Sequence, residues 1–362
     1  MSTSGSQSDA AAPSAIGPIA LFGSGETAPG AHRIHERLMR RLAAPVSVAI
    51  LETPAGFELN SPAVAGKVGA YLERHLRNHS PQVSIVPARK RGTDFDPDDP
   101  GLATALFESD YLFMGPGSPS YTVRQLRDSY AWHALRARHR LGAAICFSSA
   151  TTVASGRYAL PVYEIYKVGQ DLHWIDGLAF FSDFGLRLSV VPHWNNNDGG
   201  QELDTSRCYM GLPRFAELLE LLPADVTVLG IDENTGVVIE PSAGECELVG
   251  QGGATVLSTT GEQVFGKGTR FPVSALGDWR MPASAQEGIP DEIWQRACAV
   301  LSASDEPAEE PTPQSILELA EQRQAARAER DWAVADALRD EIAAQGWQVH
   351  DTPEGPRLEK VE

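Results

Sequence analysis

The sequence predicts an α/β fold: a mostly parallel sheet flanked by helices, with an appended C-terminal α-helical hairpin. Three observations predict it. Short apolar segments alternate with helical ones from Ile16 onward, the pattern of repeated strand–helix units. Several apolar segments end in glycine- or serine-rich loops, as strands do along the ligand-binding rim of a parallel sheet. An acidic, proline-rich stretch then interrupts the pattern near position 305, and two helical periodicities follow it.

The 362 residues suffice for one large domain and an appendage. The expected organisation is a flexible leader over 1–15, an α/β domain over 16–300, a linker over 301–313 and a helical unit over 314–362. A hydrophobic fraction of 42% supports a real core. The net charge of −18 argues against a general nucleic-acid-binding surface, because phosphate contacts need clustered Lys and Arg. It leaves room for a local basic face. Cys146, Cys208, Cys246 and Cys298 lie far apart and form no C-x-x-C pair, so neither a disulfide framework nor a zinc site is expected. The leader lacks a basic segment followed by an apolar core, and no apolar run reaches the roughly 18 residues of a membrane span. The expectation is a cytoplasmic chain with no cofactor and no membrane contact, whose composition is compatible with a homo-oligomer.

Taken in order, Ile16–Phe22 reads as a strand ending in Gly23-Ser-Gly-Glu-Thr27, followed by a helix over Ala31–Leu42. The Gly-x-Gly lacks the longer dinucleotide fingerprint and is as well explained by the turn. Strand Val46–Leu51, helix Ser61–Asn78, strand Gln82–Pro87, helix Pro100–Phe107 and strand Tyr111–Met114 continue the alternation. Gly115-Pro-Gly-Ser-Pro-Ser120 then leads into a helix over Tyr121–Arg140. Past the next strand, Leu188–Trp194 is another apolar segment, Pro213–Leu222 a helix, and Val226–Ile239 a strand, polar turn and strand. Leu248–Leu257 and Gln263–Val273 complete an antiparallel extension, and the core segments end near Asp278.

The chemistry concentrates after the central strand. Ala143–Phe147 runs into Ser148-Ser-Ala-Thr-Thr152, where small residues let the chain turn sharply into a helix. That is the geometry of a nucleophile elbow, with Ser149 as the exposed hydroxyl. The N–H groups of Ala150 and of Gly117, which lacks a Cβ, are the candidate oxyanion donors. The same Ser and Thr residues are also favoured helix caps, so the stretch alone leaves both roles open. His193 ends an apolar strand and precedes Asn195, Asn196, Asn197 and Asp198. A serine needs an imidazole to take its proton and a carboxylate to orient that imidazole. Glu164, in the semi-apolar stretch Ala159–Val168, is the expected orienting group. Cys146 is set aside as a nucleophile because a thiol inside the apolar strand would be buried and inert.

Together these segments resemble the dipeptidase E and cyanophycinase family of serine peptidases, in the class I glutamine-amidotransferase-like superfamily. The resemblance covers roughly Ile16 to Val273. It rests on Gly23-Ser-Gly, Gly115-Pro-Gly before Gln125-Leu126, Ser149-Ala150, Pro192-His193-Trp194 with Asn196, Glu202 before Arg207, and Gly230-Ile-Asp-Glu-Asn-Thr235 with Val249-Gly-Gln-Gly252. It implies Ser149 as nucleophile, His193 as base, Gly117 and Ala150 as the oxyanion hole, and metal-free cleavage of small or aspartate-containing peptides. Glu26, Asn195, Glu202 and Arg207 are then candidates for recognising charged peptide ends. The chain departs from the family at its elbow, where Phe147 and Thr151 replace flanking glycines, and at Ala159, where the family's catalytic aspartate would fall. Glu164 keeps the family's serine-to-aspartate spacing. The departures leave a second reading open, a catalytically silent protein that binds a small ligand.

Past the linker, Gln314–Arg330 and Trp332–Gln345 read as two helices, with Asp331 capping the second and Gly346 ending it. Arg323-x-x-Ala-Arg327, Asp331-Trp332, Ala335-Asp336-x-x-Arg339-Asp340, Gly346 and Asp351-Thr-Pro-x-Gly355 resemble the helical C-terminal end of cysteinyl-tRNA synthetase. None of that enzyme's catalytic or zinc-binding motifs accompanies them. The resemblance implies a module that contacts RNA or a protein partner, while packing and assembly are the plainer roles of such a hairpin. Arg323, Arg327, Arg330 and Arg339 are candidates for a basic face, whose field the neighbouring acids offset in large part.

Overall fold

The computed structural model describes residues 16–305, 313–352 and 355–360. The leader expected at 1–15 and residues 306–312 of the expected linker lie outside them. The chain divides into two compact units at Ala303 and Ser304.

The first unit begins β1 (Ile19–Phe22), α1 (His32–Met39), β2 (Ser47–Leu51), α2 (Ser61–His75), β3 (Gln82–Val86), α3 (Thr104–Glu108) and β4 (Tyr111–Met114). It continues α4 (Pro119–Leu126), α5 (Tyr130–Arg140), β5 (Ala144–Ser148) and α6 (Ala150–Ala154). Strands β1, β5, β4, β2 and β3 lie side by side in that order, each parallel to its neighbour. Their residues alternate between two cores: Ile19, Leu21, Ile145 and Phe147 face one, Ala20, Phe22, Ala144 and Cys146 the other. Burial on both faces is why β1, β5, β4 and β2 read as nearly continuous apolar runs, whereas β3, at the sheet edge, alternates exposed with partly buried residues.

The single helix expected over Tyr121–Arg140 is two helices. Asp128 adopts a positive φ of 56°, and the Ser129 hydroxyl accepts the Trp132 N–H at 3.1 Å as the cap of α5. Periodicity ran on through this break because no Gly or Pro marks it.

Next come β6 (Tyr158–Ala159), α7 (Val162–Tyr166), β7 (Ile175–Asp176), β8 (Leu188–Val191), the single turn α8 (Ser206–Tyr209) and α9 (Gly211–Glu220). They are followed by β9 (Thr227–Ile231), β10 (Thr235–Glu240), β11 (Glu245–Gly250), β12 (Ala254–Ser258), β13 (Gly261–Phe265), β14 (Arg270–Pro272) and α10 (Asp291–Asp305). The expected antiparallel extension is two structures. β10, β11 and β14 extend the large sheet beyond β1, making it eight-stranded, while β13, β12, β9 and β8 form a separate four-stranded sheet. The chain therefore changes sheets within the polar turn between β9 and β10. Apolar residues of the small sheet, Val190, Leu229 and Val256 among them, join the core on one face of the large sheet.

The core does not end near Asp278. Ile293 and Ala297 of α10 are buried in it, and Arg296 donates to the Pro100 carbonyl and the Tyr130 hydroxyl. Residues 301–305, expected as linker, are the last part of that helix.

The second unit comprises α11 (Gln314–Ala328), α12 (Trp332–Ala344), β15 (Trp347–Thr352) and β16 (Gly355–Lys360). The helical hairpin is thus followed by an antiparallel strand pair, and Ile316, Ala320, Ile342, Trp347 and Val349 form a core of their own. Asp331 accepts the Val334 N–H at 3.2 Å and caps α12. No helix among the described residues is long and apolar enough to cross a membrane.

Candidate active site

Ser149 stands between β5 and α6 with φ 52° and ψ −109°, a strained conformation for a residue with a Cβ. Both flanks are tied down. Thr151 Oγ1 accepts the Ser148 N–H at 2.9 Å and donates toward the carbonyls of Met114 and Ser148 at 2.6 and 3.0 Å. Thr152 Oγ1 donates toward the carbonyls of Phe22 and Phe147. The elbow thus needs no flanking glycine. Thr151 lies within α6 and uses its hydroxyl to tie the turn to β4. Phe147 is a fully buried strand residue packed on Trp132 and Phe180.

His193 comes from the other sheet. β8 and β9 run parallel with Val191 opposite Gly230, so the segments leaving their C-terminal ends emerge together. The His193 N–H donates to the Gly23 carbonyl at 3.0 Å, and the Trp194 N–H to the Ile231 carbonyl at 3.0 Å, which fastens the imidazole between the sheets. Its Nε2 lies 3.0 Å from Ser149 Oγ. Its Nδ1 lies 2.9 Å from Glu233 Oε1. With Nδ1 protonated and donating to Glu233, Nε2 is free to accept the serine proton.

The carboxylate that meets the imidazole is therefore Glu233, not the expected Glu164. Glu164 instead accepts a hydrogen bond from the Ser120 hydroxyl: the turn of α7 holds it beside α4, away from the imidazole. Glu233 also accepts the Asn196 amide N–H at 2.9 Å, and its own N–H donates to Asn195 Oδ1 at 2.8 Å. The hydrogen bond from His193 holds the Glu233 carboxyl below its ordinary range, against the opposing effect of partial burial, with Asn196 adding to it. The missed signal was in Gly230-Ile-Asp-Glu-Asn-Thr235: Glu233 follows an apolar strand's C-terminal end, as His193 does.

Gly117 and Ala150 both line the cavity in front of Ser149. A Cβ on Gly117 would lie 1.9 Å from the Pro54 carbonyl oxygen, so this close approach of two backbones admits only glycine. Among the described residues no acceptor takes the Gly117 N–H.

The remaining expected site residues are dispersed. Glu26 accepts the Ser148 hydroxyl at 2.8 Å, and its carbonyl accepts His35 Nε2–H at 2.8 Å. It supports the elbow from behind and does not line the cavity. Glu202 is exposed and outside the cavity. Asn195 holds the turn that carries Glu233. Arg207 lays its guanidinium 4.0 Å over the Trp194 ring and donates to the Trp194 carbonyl at 2.9 Å. Arg207, Cys208 and Tyr209 all have positive φ, between 58° and 69°; their N–H groups donate to Trp194, His193 and Thr205. This segment braces the His193 loop. Cys146 is fully buried, which pushes its thiol far up and makes it a poor nucleophile.

The cavity encloses about 360 Å3. Residues missed in the sequence form much of its wall: Tyr163, Tyr166, Lys167, Asp198 and Tyr209. The Tyr209 hydroxyl donates to Asp198 at 2.7 Å; that bond, with one from Asn196, lowers the Asp198 pKa.

No protein-family model matches the chain. A peptidase from an acI-B1 Actinobacterium has a similar fold, with a TM-score of 0.58 and 19% identity over 72% of this chain and 98% of that one. At the C-terminal end the chain is similar to cysteine–tRNA ligases. It is 52% identical over 46 residues to Cysteine–tRNA ligase 1 of Burkholderia lata, 13% of this chain and 10% of that protein. It is 36% identical over 70 residues to the Chlamydia caviae ligase, 19% of this chain and 15% of that one. The chain thus spans only 10–15% of the length of these two relatives.

Proposed function

We propose that the chain is a serine-dependent hydrolase of peptide or amide bonds acting through an acyl-enzyme. The observation that carries this reading is the continuous chain Ser149 Oγ, His193 and Glu233, with contacts of 3.0 and 2.9 Å, set on a strained elbow. Ser149 Oγ attacks the carbonyl carbon while His193 Nε2 takes its proton. The carbonyl π electrons move onto oxygen, and the N–H groups of Gly117 and Ala150 stabilise that oxyanion. Collapse breaks the C–N bond, and the amine leaves with the proton from His193. Water then attacks the acyl-serine, giving a proton to His193, and the carboxylic acid is released with Ser149 restored. Glu233 keeps the imidazole in the required tautomer throughout. Small or acidic peptides are the substrates the family resemblance implies.

The test is labelling by a fluorophosphonate, with mass-spectrometric detection of cleavage across a short-peptide library for wild type and Ser149→Ala. Labelling at Ser149 and cleavage lost in the variant are expected. Cleavage unchanged in Ser149→Ala would remove the assignment, and absence of both labelling and cleavage would favour a silent ligand-binding protein.

The likeness to cysteine–tRNA ligases supports a second role, confined to the C-terminal unit: contact with RNA or a protein partner. Two of the four arginines expected on its basic face, Arg323 and Arg327, are engaged with Asp351, and Arg339 is flanked by Asp336 and Asp340. This pairing favours a protein contact over phosphate binding. A tRNA mobility-shift measurement distinguishes the two, with no shift expected.

A further inference from the structure

We infer that the substrate group flanking the reacting bond is a large apolar side chain, aromatic above all, and not a carboxylate. The inference deepens the hydrolase reading and rests on it for the position of the scissile bond.

Its basis is the cavity wall. Val153, Val162, Pro119 and Pro192 supply aliphatic surface around Ser149. Tyr163, Tyr166 and Tyr209 supply aromatic side chains, the last two packed on each other, and the Tyr163 side is open to solvent, the residue being 44% exposed. Burying an apolar group against such a wall releases water from both surfaces, and ring-on-ring contact adds to it.

The charges point the same way. Two carboxylates border the reacting end: Asp198, an exposed residue of the cavity lining, charged and bonded to Tyr209, and Glu233, bonded to the far nitrogen of the imidazole. Arg207 is folded away onto Trp194. Among the described residues Lys167 is the one cation of the cavity lining, and it is an exposed side chain lying 5.0 Å from the Tyr166 ring centre. A substrate carboxylate near Ser149 would lose part of its hydration, meet the like charge of Glu233 and the solvent-screened one of Asp198, and gain no fixed cation.

The test is calorimetric binding of Ala-Phe-Ala and Ala-Asp-Ala to full-length Ser149→Ala, beside turnover of both by wild type. The Phe peptide is expected to bind about tenfold tighter or more, the scale on which apolar pockets discriminate. Adding Tyr166→Ala should weaken the Phe peptide several-fold and leave the Asp peptide unchanged; Tyr163→Ala, at an exposed position, is the second variant should the first fold poorly. Equal or tighter binding of the Asp peptide, no measurable binding of either, or a preference untouched by both tyrosine variants would overturn the inference. Phe preference without cleavage would count against the hydrolase reading alone, and cleavage with Asp preference against this inference alone.

Discussion

Glu233 Oε1 sits 2.9 Å from His193 Nδ1 because β8 and β9 are parallel neighbours, so two strand ends far apart in sequence deliver base and carboxylate to one point. Glu233→Gln should therefore lower kcat by about 10²–10⁴-fold, since an amide can favour the wrong imidazole tautomer. Glu164→Gln should change kcat by less than about threefold, at the level expected for a residue with no part in catalysis. Steady-state kinetics of both variants on one peptide checks the assignment.

Strain at Ser149 has a thermodynamic signature. Ser149→Gly should abolish hydrolysis while raising the denaturant midpoint, because glycine accepts φ 52°, ψ −109° without the cost of about 1–3 kcal/mol borne by a residue with a Cβ. The gain is reduced by glycine's greater unfolded-state entropy, leaving about 1 kcal/mol. A lowered midpoint would show that the elbow is not strained.

Gly117→Ala should be damaging on both counts. Its Cβ would collide with the Pro54 carbonyl, so the loop must shift and carry its N–H away from the oxyanion. A kcat loss of about 10²-fold or more is expected, together with a lower Tm; wild-type kinetics in this variant would exclude Gly117 from the oxyanion hole.

Arg207 is a positioning residue on this geometry, acting through Trp194 on the His193 loop. Arg207→Ala should lower kcat about tenfold with little change in KM. A substrate-binding arginine would give the opposite split, a raised KM with kcat preserved.

In the C-terminal unit, hydrogen bonds from Arg323 and then Arg327 hold the Asp351 carboxyl well below the usual range. A depressed folded-state pKa contributes stability that is complete above the unfolded value of about 3.9 and is lost as pH falls toward the folded one. Asp351→Asn should therefore reduce hydrogen-exchange protection in α11 and α12 near pH 7. The difference from wild type should shrink progressively below about pH 4. A difference independent of pH would assign Asp351 a role other than charge.

Much of this molecule was legible locally. Strand and helix alternation from β1 to β5 is written mostly in runs of apolar residues that bury both faces, the edge strand β3 alternating instead, and Ser149 and His193 each stand at the end of such a run. These are properties of neighbouring residues, so sequence by itself determined them. Tertiary structure alone decided which carboxylate meets His193, since Glu164 and Glu233 are both acids near apolar segments and only the pairing of β8 with β9 selects one. It likewise decided that the chain changes sheets between β9 and β10, and that Arg207 turns onto Trp194 instead of into the cavity. Those outcomes depend on hydrogen bonds and ring contacts between segments brought together by folding, for which spacing along the chain carries no distance.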